Sequence, residues 1–159
     1  MIQGVKIKNL TVRQDVPDVQ QSGVKPGFLM EVLRADEEMF EKFGQSTMTV
    51  AYPGMIKGFH YHKLQTDMWF VATGKALIVL HDLREDSPTK GETQTLTTGV
   101  GEYKLISIPV GVAHGYKVLS EEPVILFYHT TEPYNVKEPD EQVIPHDDKE
   151  INFDWSSNG

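Results

Sequence analysis

The 159-residue chain has no cysteine. That excludes disulfide staples, thiolate nucleophiles and thiolate metal ligands, and it fits a reducing compartment. No stretch approaches the roughly 18 apolar residues of a membrane helix, and the opening MIQGVKIKNL lacks the apolar segment of a secretory signal. A cytoplasmic location is therefore expected, with no membrane partner. Positive charge is scarce: 15 Lys and Arg stand against 23 Asp and Glu, for a formal net charge of −8. Phosphate backbones need a basic footprint, so nucleic acid is not an expected partner. A small anionic substrate stays open, provided local Lys and Arg outweigh the global field.

The chain is long enough for one core that buries roughly two thirds of its unfolded surface. It shows no internal repeat and no linker, so one domain over residues 1–159 is expected. The dominant pattern is β. GVKIKNLTVRQDV alternates apolar and polar residues as a first strand, followed by a loop, the turn Gly23-Val-Lys-Pro-Gly27 and a second strand from Phe28 to Leu33. ADEEMFEKFGQ, with Asp36 as N-cap and Gly44 as stop, is the best helical candidate, and it closes an N-terminal part of residues 1–45. From Ser46 to Thr131 the segments QSTMTVAY, MIKGFHYH, MWFVATG, KALIVLHDLR, YKLISIP, GYKVL and PVILFYHTT read as short strands separated by turns. That rhythm implies a sandwich or barrel rather than βαβ units. The tail, residues 132–159, is rich in acid and proline but punctuated by Tyr134, Ile144, Phe153 and Trp155, and reads as an ordered wrap.

The chemistry concentrates in Gly54–Gly74, GMIKGFHYHKLQTDMWFVATG. Strand alternation puts His60 and His62 on one face, where two imidazoles need partners, a metal or the wall of a wet cavity. The spacing from Gly54 through His60, His62 and Asp67 to Gly74 matches the first cupin motif, with Asp for the usual Glu. Pro109-Val-Gly111-Val-Ala-His114 matches the core of the second, with Val118 where many metal cupins have Asn. This resemblance implies an all-β double-stranded β-helix (jelly roll) with minor helical segments, in which His60, His62, Asp67 and His114 meet at the barrel mouth as a candidate metal set. His81 and His129 match no motif and read as packing residues, and Trp69 and Phe70 read as core.

A closer resemblance covers most of the chain. Lys57-Gly58-Phe59-His60-Tyr61, Asp86-Ser87-Pro88-Thr89-Lys90-Gly91, Ile108 to Tyr116, Tyr128-His129-Thr130-Thr131 and Asp147-Asp148 to Asp154-Trp155 are similar to dTDP-4-dehydrorhamnose 3,5-epimerase, a family of cupin-fold homodimers acting on nucleotide-linked 4-keto-6-deoxy sugars. The resemblance implies His60 as catalytic base, Asp148 as the carboxylate orienting it and Tyr128 as proton donor. It further implies Glu31, Gln45, Lys57, His114 and Tyr134 as substrate contacts, and no required cofactor. A 4-ketone acidifies the hydrogens on its neighbouring carbons, and a histidine within reach can remove one.

Three departures matter. Lys57 replaces the family's arginine and loses the bidentate phosphate fork. Asp67 occupies the position of a lysine near the sugar ketone. His62 replaces a glutamine, giving HYHK. The last two restore the three-histidine, one-carboxylate set of metal cupins, so a divalent metal could polarise the ketone, in competition with the base role of His60. The segment from Lys57 to Lys63 is also similar to the dTDP-sugar 3,4-ketoisomerases. The open functional classes are thus a nucleotide-sugar epimerase or ketoisomerase, another metal-dependent cupin enzyme, and a non-catalytic sugar-binding cupin.

Overall fold

The computed structural model describes residues 1–16 and 23–156. The loop expected after the first strand falls on residues 17–22, outside the described residues, as do residues 157–159 of the tail. Twelve strands occur among the described residues: β1 (Lys6–Asn9), β2 (Arg13–Gln14), β3 (Phe28–Leu29), β4 (Gln45–Ala51), β5 (Ile56–Tyr61), β6 (Asp67–Thr73), β7 (Lys75–Asp82), β8 (Thr93–Gly99), β9 (Lys104–Ile108), β10 (Val112–Val118), β11 (Val124–Thr130) and β12 (Gln142–Val143). One five-stranded sheet runs β1-β9-β6-β11-β4 and a second runs β12-β5-β10-β7-β8, with β2 and β3 forming a small ribbon. All pairings are antiparallel. Two facing antiparallel sheets with crossed connections make the jelly roll.

Alternation along the strands builds three apolar layers. Between the sheets lie Trp69, Val71, Ile78, Leu80, Ile106 and Leu126. Their neighbours in sequence point outward: Met68, Phe70 and Leu105 form a layer on the outer face of the first sheet, joined by Met30, Val32, Leu33 and Met39 from the N-terminal part. Phe59, Leu77, Val79 and Ala113 form one on the outer face of the second, covered by Ile144, Ile151, Phe153 and Trp155 of the tail. A sheet apolar on both faces needs such a cover.

The expected helix over 35–45 is absent, and no helix occurs among the described residues. Asp36 does not cap; its carboxylate takes hydrogen bonds from Arg34 Nε and Nη2. Glu37 is drawn away to Lys8 at 2.7 Å. Gly44 is a crossing point rather than a helix stop, since a Cβ there would meet the Glu132 backbone at 2.4 Å. An isolated helix of this length is marginal in water, and these tertiary ties outweigh its propensity. The second strand is also shorter than expected: only Phe28–Leu29 pairs, with β2. The reading from turns and alternation missed β8, whose TQTLTTG is mostly threonine and lacks an apolar stripe.

The Ser87-Pro88-Thr89 segment has a structural task. Asp82, with a side chain shut off from solvent, accepts from Arg84 Nε and Nη2 at 2.8 Å each and from the Ser87 and Thr89 hydroxyls at 2.6 Å each. Arg84 Nη2 also donates to Gln3 O at 2.7 Å, tying the N-terminal segment to the barrel. These donors, Arg84 first, hold the Asp82 carboxyl well below the usual carboxylate range.

Candidate active site

β5 and β10 carry the histidines, and their local packing is set by two glycines. A Cβ on Gly115 would sit 2.8 Å from Lys57 O and 2.9 Å from Gly58 Cα, and one on Gly58 would sit 2.9 Å from Gly115 Cα. The strands therefore approach backbone to backbone beside the pair His114 and His60, where the β10–β5 register shifts between His114 and Tyr116. Both imidazoles turn inward to a cavity of about 1060 Å³ that opens between the sheets.

The first sheet supplies the opposite wall. Gln45 and Thr49 of β4 and Tyr128 of β11 line it, together with Trp69. Burial pushes the Tyr128 hydroxyl above its ordinary value, with a hydrogen bond to Thr47 working the other way. Lys57 lines the same side and donates to Thr49 Oγ1 at 2.6 Å. Tyr134 lines the rim, and its backbone N–H donates to Gln45 Oε1 at 2.9 Å.

His60 meets a carboxylate, but not the one expected. Glu141 Oε1 lies 2.8 Å from His60 Nδ1, close enough to pair with the ring although out of line for a formed hydrogen bond. Glu141 precedes β12, which pairs with β5 as Val143 against His60. Asp148 forms no ion pair with His60 among the described residues and does not line the cavity. Its Oδ1 accepts from the backbone N–H of Glu150 and Ile151, and its charge acts on His81. His81 follows Leu77 and Val79 in alternation on β7, which places Asp148 on the outer face of the second sheet. His81 itself is satisfied by the Thr93 hydroxyl at 2.8 Å. Glu31 is held by Arg34 at 2.9 Å on the surface and does not line the cavity either.

His62, Asp67 and His114 come together and are all buried. His62 Nε2 and His114 Nε2 each lie 3.7 Å from Asp67 Oδ2. Burial pushes His114 down to about 4, against the pull of Asp67. His60 is not in this group. The nearby loop is fixed by Asp140, whose carboxylate accepts from the backbone N–H of Lys63, Leu64 and Gln65. Sequence reasoning missed Asp140 and Glu141. Their signal, an acidic pair just before the β-prone Gln142–Val143, is indistinguishable from a solvated acidic tail.

A histidine beside a carboxylate and a half-buried tyrosine line one cavity from opposite sheets of a jelly roll, which makes this a cupin-type fold with groups chemically suited to moving protons. Comparison with known proteins narrows the class. The family model described as dTDP-4-dehydrorhamnose 3,5-epimerase matches residues 6–158, and the chain belongs to this family. It is 48% identical over 157 residues to the spore coat polysaccharide biosynthesis protein SpsL of Bacillus subtilis, covering 99% of this chain and 98% of that one. Among solved structures it resembles a dTDP sugar isomerase from Desulfovibrio desulfuricans, with TM-score 0.83 and 28% identity over 99% of this chain and 94% of the other. It also resembles a dTDP-6-deoxy-D-glucose-3,5-epimerase from Legionella pneumophila in complex with dTDP-4-keto-L-rhamnose, with TM-score 0.78 and 26% identity over 95% of this chain and 78% of that one. The chain is an isomerase of the sugar-epimerase type.

Proposed function

We propose that the chain epimerises a dTDP-linked 4-keto-6-deoxyhexose, with His60 as base and Tyr128 as acid. The observation that carries the reading is that the two residues line one cavity from opposite sheets, His60 on β5 and Tyr128 on β11. A sugar ring lying between them is addressed on both faces. The free ring nitrogen of His60 takes the proton from a carbon next to the ketone, and the electron pair passes into the C4 enolate. The Tyr128 hydroxyl then returns a proton to that carbon from the other side, which inverts it. Exchange with solvent restores both residues. Glu141, 2.8 Å from Nδ1 of His60, supports the imidazolium by its charge, the task expected of Asp148. Gln45, Lys57 and Tyr134 line the same cavity and offer the nucleotide end its polar contacts. The reaction as drawn uses no cofactor.

The reading extends to a homodimer in the cytoplasm. The dimer is supported by β4, a sheet-edge strand with Met48 and Val50 exposed beside Tyr52 and Met55.

Incubation with dTDP-4-keto-6-deoxyglucose in D₂O, followed by proton NMR, tests the chemistry. The wild-type chain is expected to place deuterium at each carbon it deprotonates. His60→Asn lowers exchange by about 10²-fold or more. Tyr128→Phe keeps exchange from the His60 side while losing inversion. Glu141→Gln lowers kcat about 10-fold with KM little changed. Exchange that survives in His60→Asn refutes the assignment.

A further inference from the structure

The buried group His62, Asp67 and His114 has no task in the proton transfer of His60 and Tyr128. Its members do not satisfy one another: 3.7 Å from each Nε2 to Asp67 Oδ2 is too long for a hydrogen bond. One ligand atom from each residue nonetheless lies within 4.8 Å of the other two. Donors around one tetrahedral ion with bonds of about 2.0 Å stand about 3.3 Å apart, so a small inward movement of the side chains closes the set.

The surroundings orient these groups as ligands. His114 Nδ1 lies 2.9 Å from Val112 O. A carbonyl only accepts, so Nδ1 carries the proton and the lone pair of Nε2 faces Asp67. Gln65 Nε2 and Trp69 Nε1 donate to the two Asp67 oxygens at 2.8 and 3.2 Å and fix the carboxylate plane. His62 is only 7% exposed, and its Nδ1 is buried without a hydrogen-bond partner. Asp140 Oδ2 stands 3.8 Å behind that nitrogen, the place of a carboxylate that backs a ligating histidine. An unpartnered imidazole beside a buried carboxylate is costly, and a cation removes the cost. Glu132, Glu138 and Glu141 along the same cavity add an attractive field.

We propose that His62, Asp67 and His114 bind one divalent first-row transition-metal ion, with His60 outside the set. Two imidazoles and one carboxylate leave open positions toward the cavity. The competition for His60 between a metal role and a base role then disappears, because His60 turns instead to Glu141. The site stands on geometry alone. What it does rests on the proposed function: an ion there polarises the sugar ketone, work for which the resemblance places a lysine where this chain has Asp67.

Metal binding is measured without sugar. The purified full-length chain is stripped with chelator, then dialysed against Zn²⁺ or Co²⁺, with metal quantified by elemental analysis and the Co²⁺ form inspected for visible d–d bands. One ion per chain, visible bands and a raised Tm are expected. Asp67→Asn and His62→Gln each weaken affinity at least about 10-fold, whereas His60→Asn stays within about 3-fold of wild type. Circular dichroism of the stripped variants separates lost ligands from lost fold, and either of the two ligand variants suffices. Absence of stoichiometric binding, or binding undiminished in a folded ligand variant, overturns the site. Loss in His60→Asn as well overturns the three-ligand assignment. Deuterium exchange on stripped and loaded enzyme is then compared. Metal binding without any exchange refutes the proposed reaction and leaves the site standing, and exchange indifferent to metal refutes the ketone-polarising role.

Discussion

Gly115→Ala is a one-carbon change that should damage activity without removing a polar group. The added Cβ would lie 2.8 Å from Lys57 O, 2.9 Å from Gly58 Cα and 3.3 Å from Phe59 Cδ1. Carbon pairs settle at about 3.5–4.0 Å, so β5 and β10 must part by roughly 0.6–1.1 Å. The two shortest contacts are both backbone atoms, so the backbone itself must give. Overpacking of this kind costs about 2 kcal/mol, which for a chain of this length lowers Tm by roughly 4–8 °C. The larger effect is catalytic, because the same two strands present His60 and His114. A displacement of about 1 Å at a reacting group costs on the order of 10²-fold in rate, so kcat/KM is expected to fall 10- to 100-fold. Thermal unfolding and steady-state epimerisation, run on the same preparation, check both numbers. A Gly115→Ala enzyme within twofold of wild-type kcat/KM and within a degree in Tm would refute the idea that this contact places the histidines.

Asp82→Asn is expected to destabilise the fold by about 3 kcal/mol, since it removes a buried charge from Arg84 while leaving the guanidinium in place. Because the folded-state pKa of Asp82 is depressed, its contribution is fully present above the unfolded value near 3.8 and drains away as pH falls through the folded value. Acid titration of stability should therefore show a steeper loss below about pH 4 in wild type than in Asp82→Asn. Trp155→Ala should cost about 4 kcal/mol in chemical denaturation. It removes a ring 5.3 Å from Phe59 and 5.0 Å from Phe153, and a hydrogen bond of 2.7 Å to His146 O. A loss under about 1 kcal/mol would mean that the tail is not part of the core.

Alternation and spacing were enough to read the barrel strands other than β8 and the short β12, and to see that His60, His62, Asp67 and His114 share a region, because strand period and motif spacing are local properties of the chain. What alternation cannot carry is a choice among acids that arrive from far away in sequence. Asp148 and Glu141 lie seven residues apart in one acidic tail. Only the pairing of Val143 with His60 decides that Glu141 reaches the imidazole while Asp148 closes a turn on the other face. The helix expected over 35–45 failed for a related reason. Its acids serve Arg34 and Lys8, and Met39 packs against the first sheet. Such long-range partners outbid an intrinsic preference worth only tenths of a kcal/mol per residue.

The short strand β12 also sets an order of events in the cell. Asp140, which pins the loop after His62, and Glu141, which meets His60, both belong to a segment synthesised after every strand of the two sheets except β12 itself. At roughly 5–20 residues per second, the ten residues from the end of β11 to Asp140 are added about 0.5–2 s after the last barrel strand. A chain ending before residue 140 would lack both carboxylates, leaving His60 without Glu141 and the loop after His62 without Asp140.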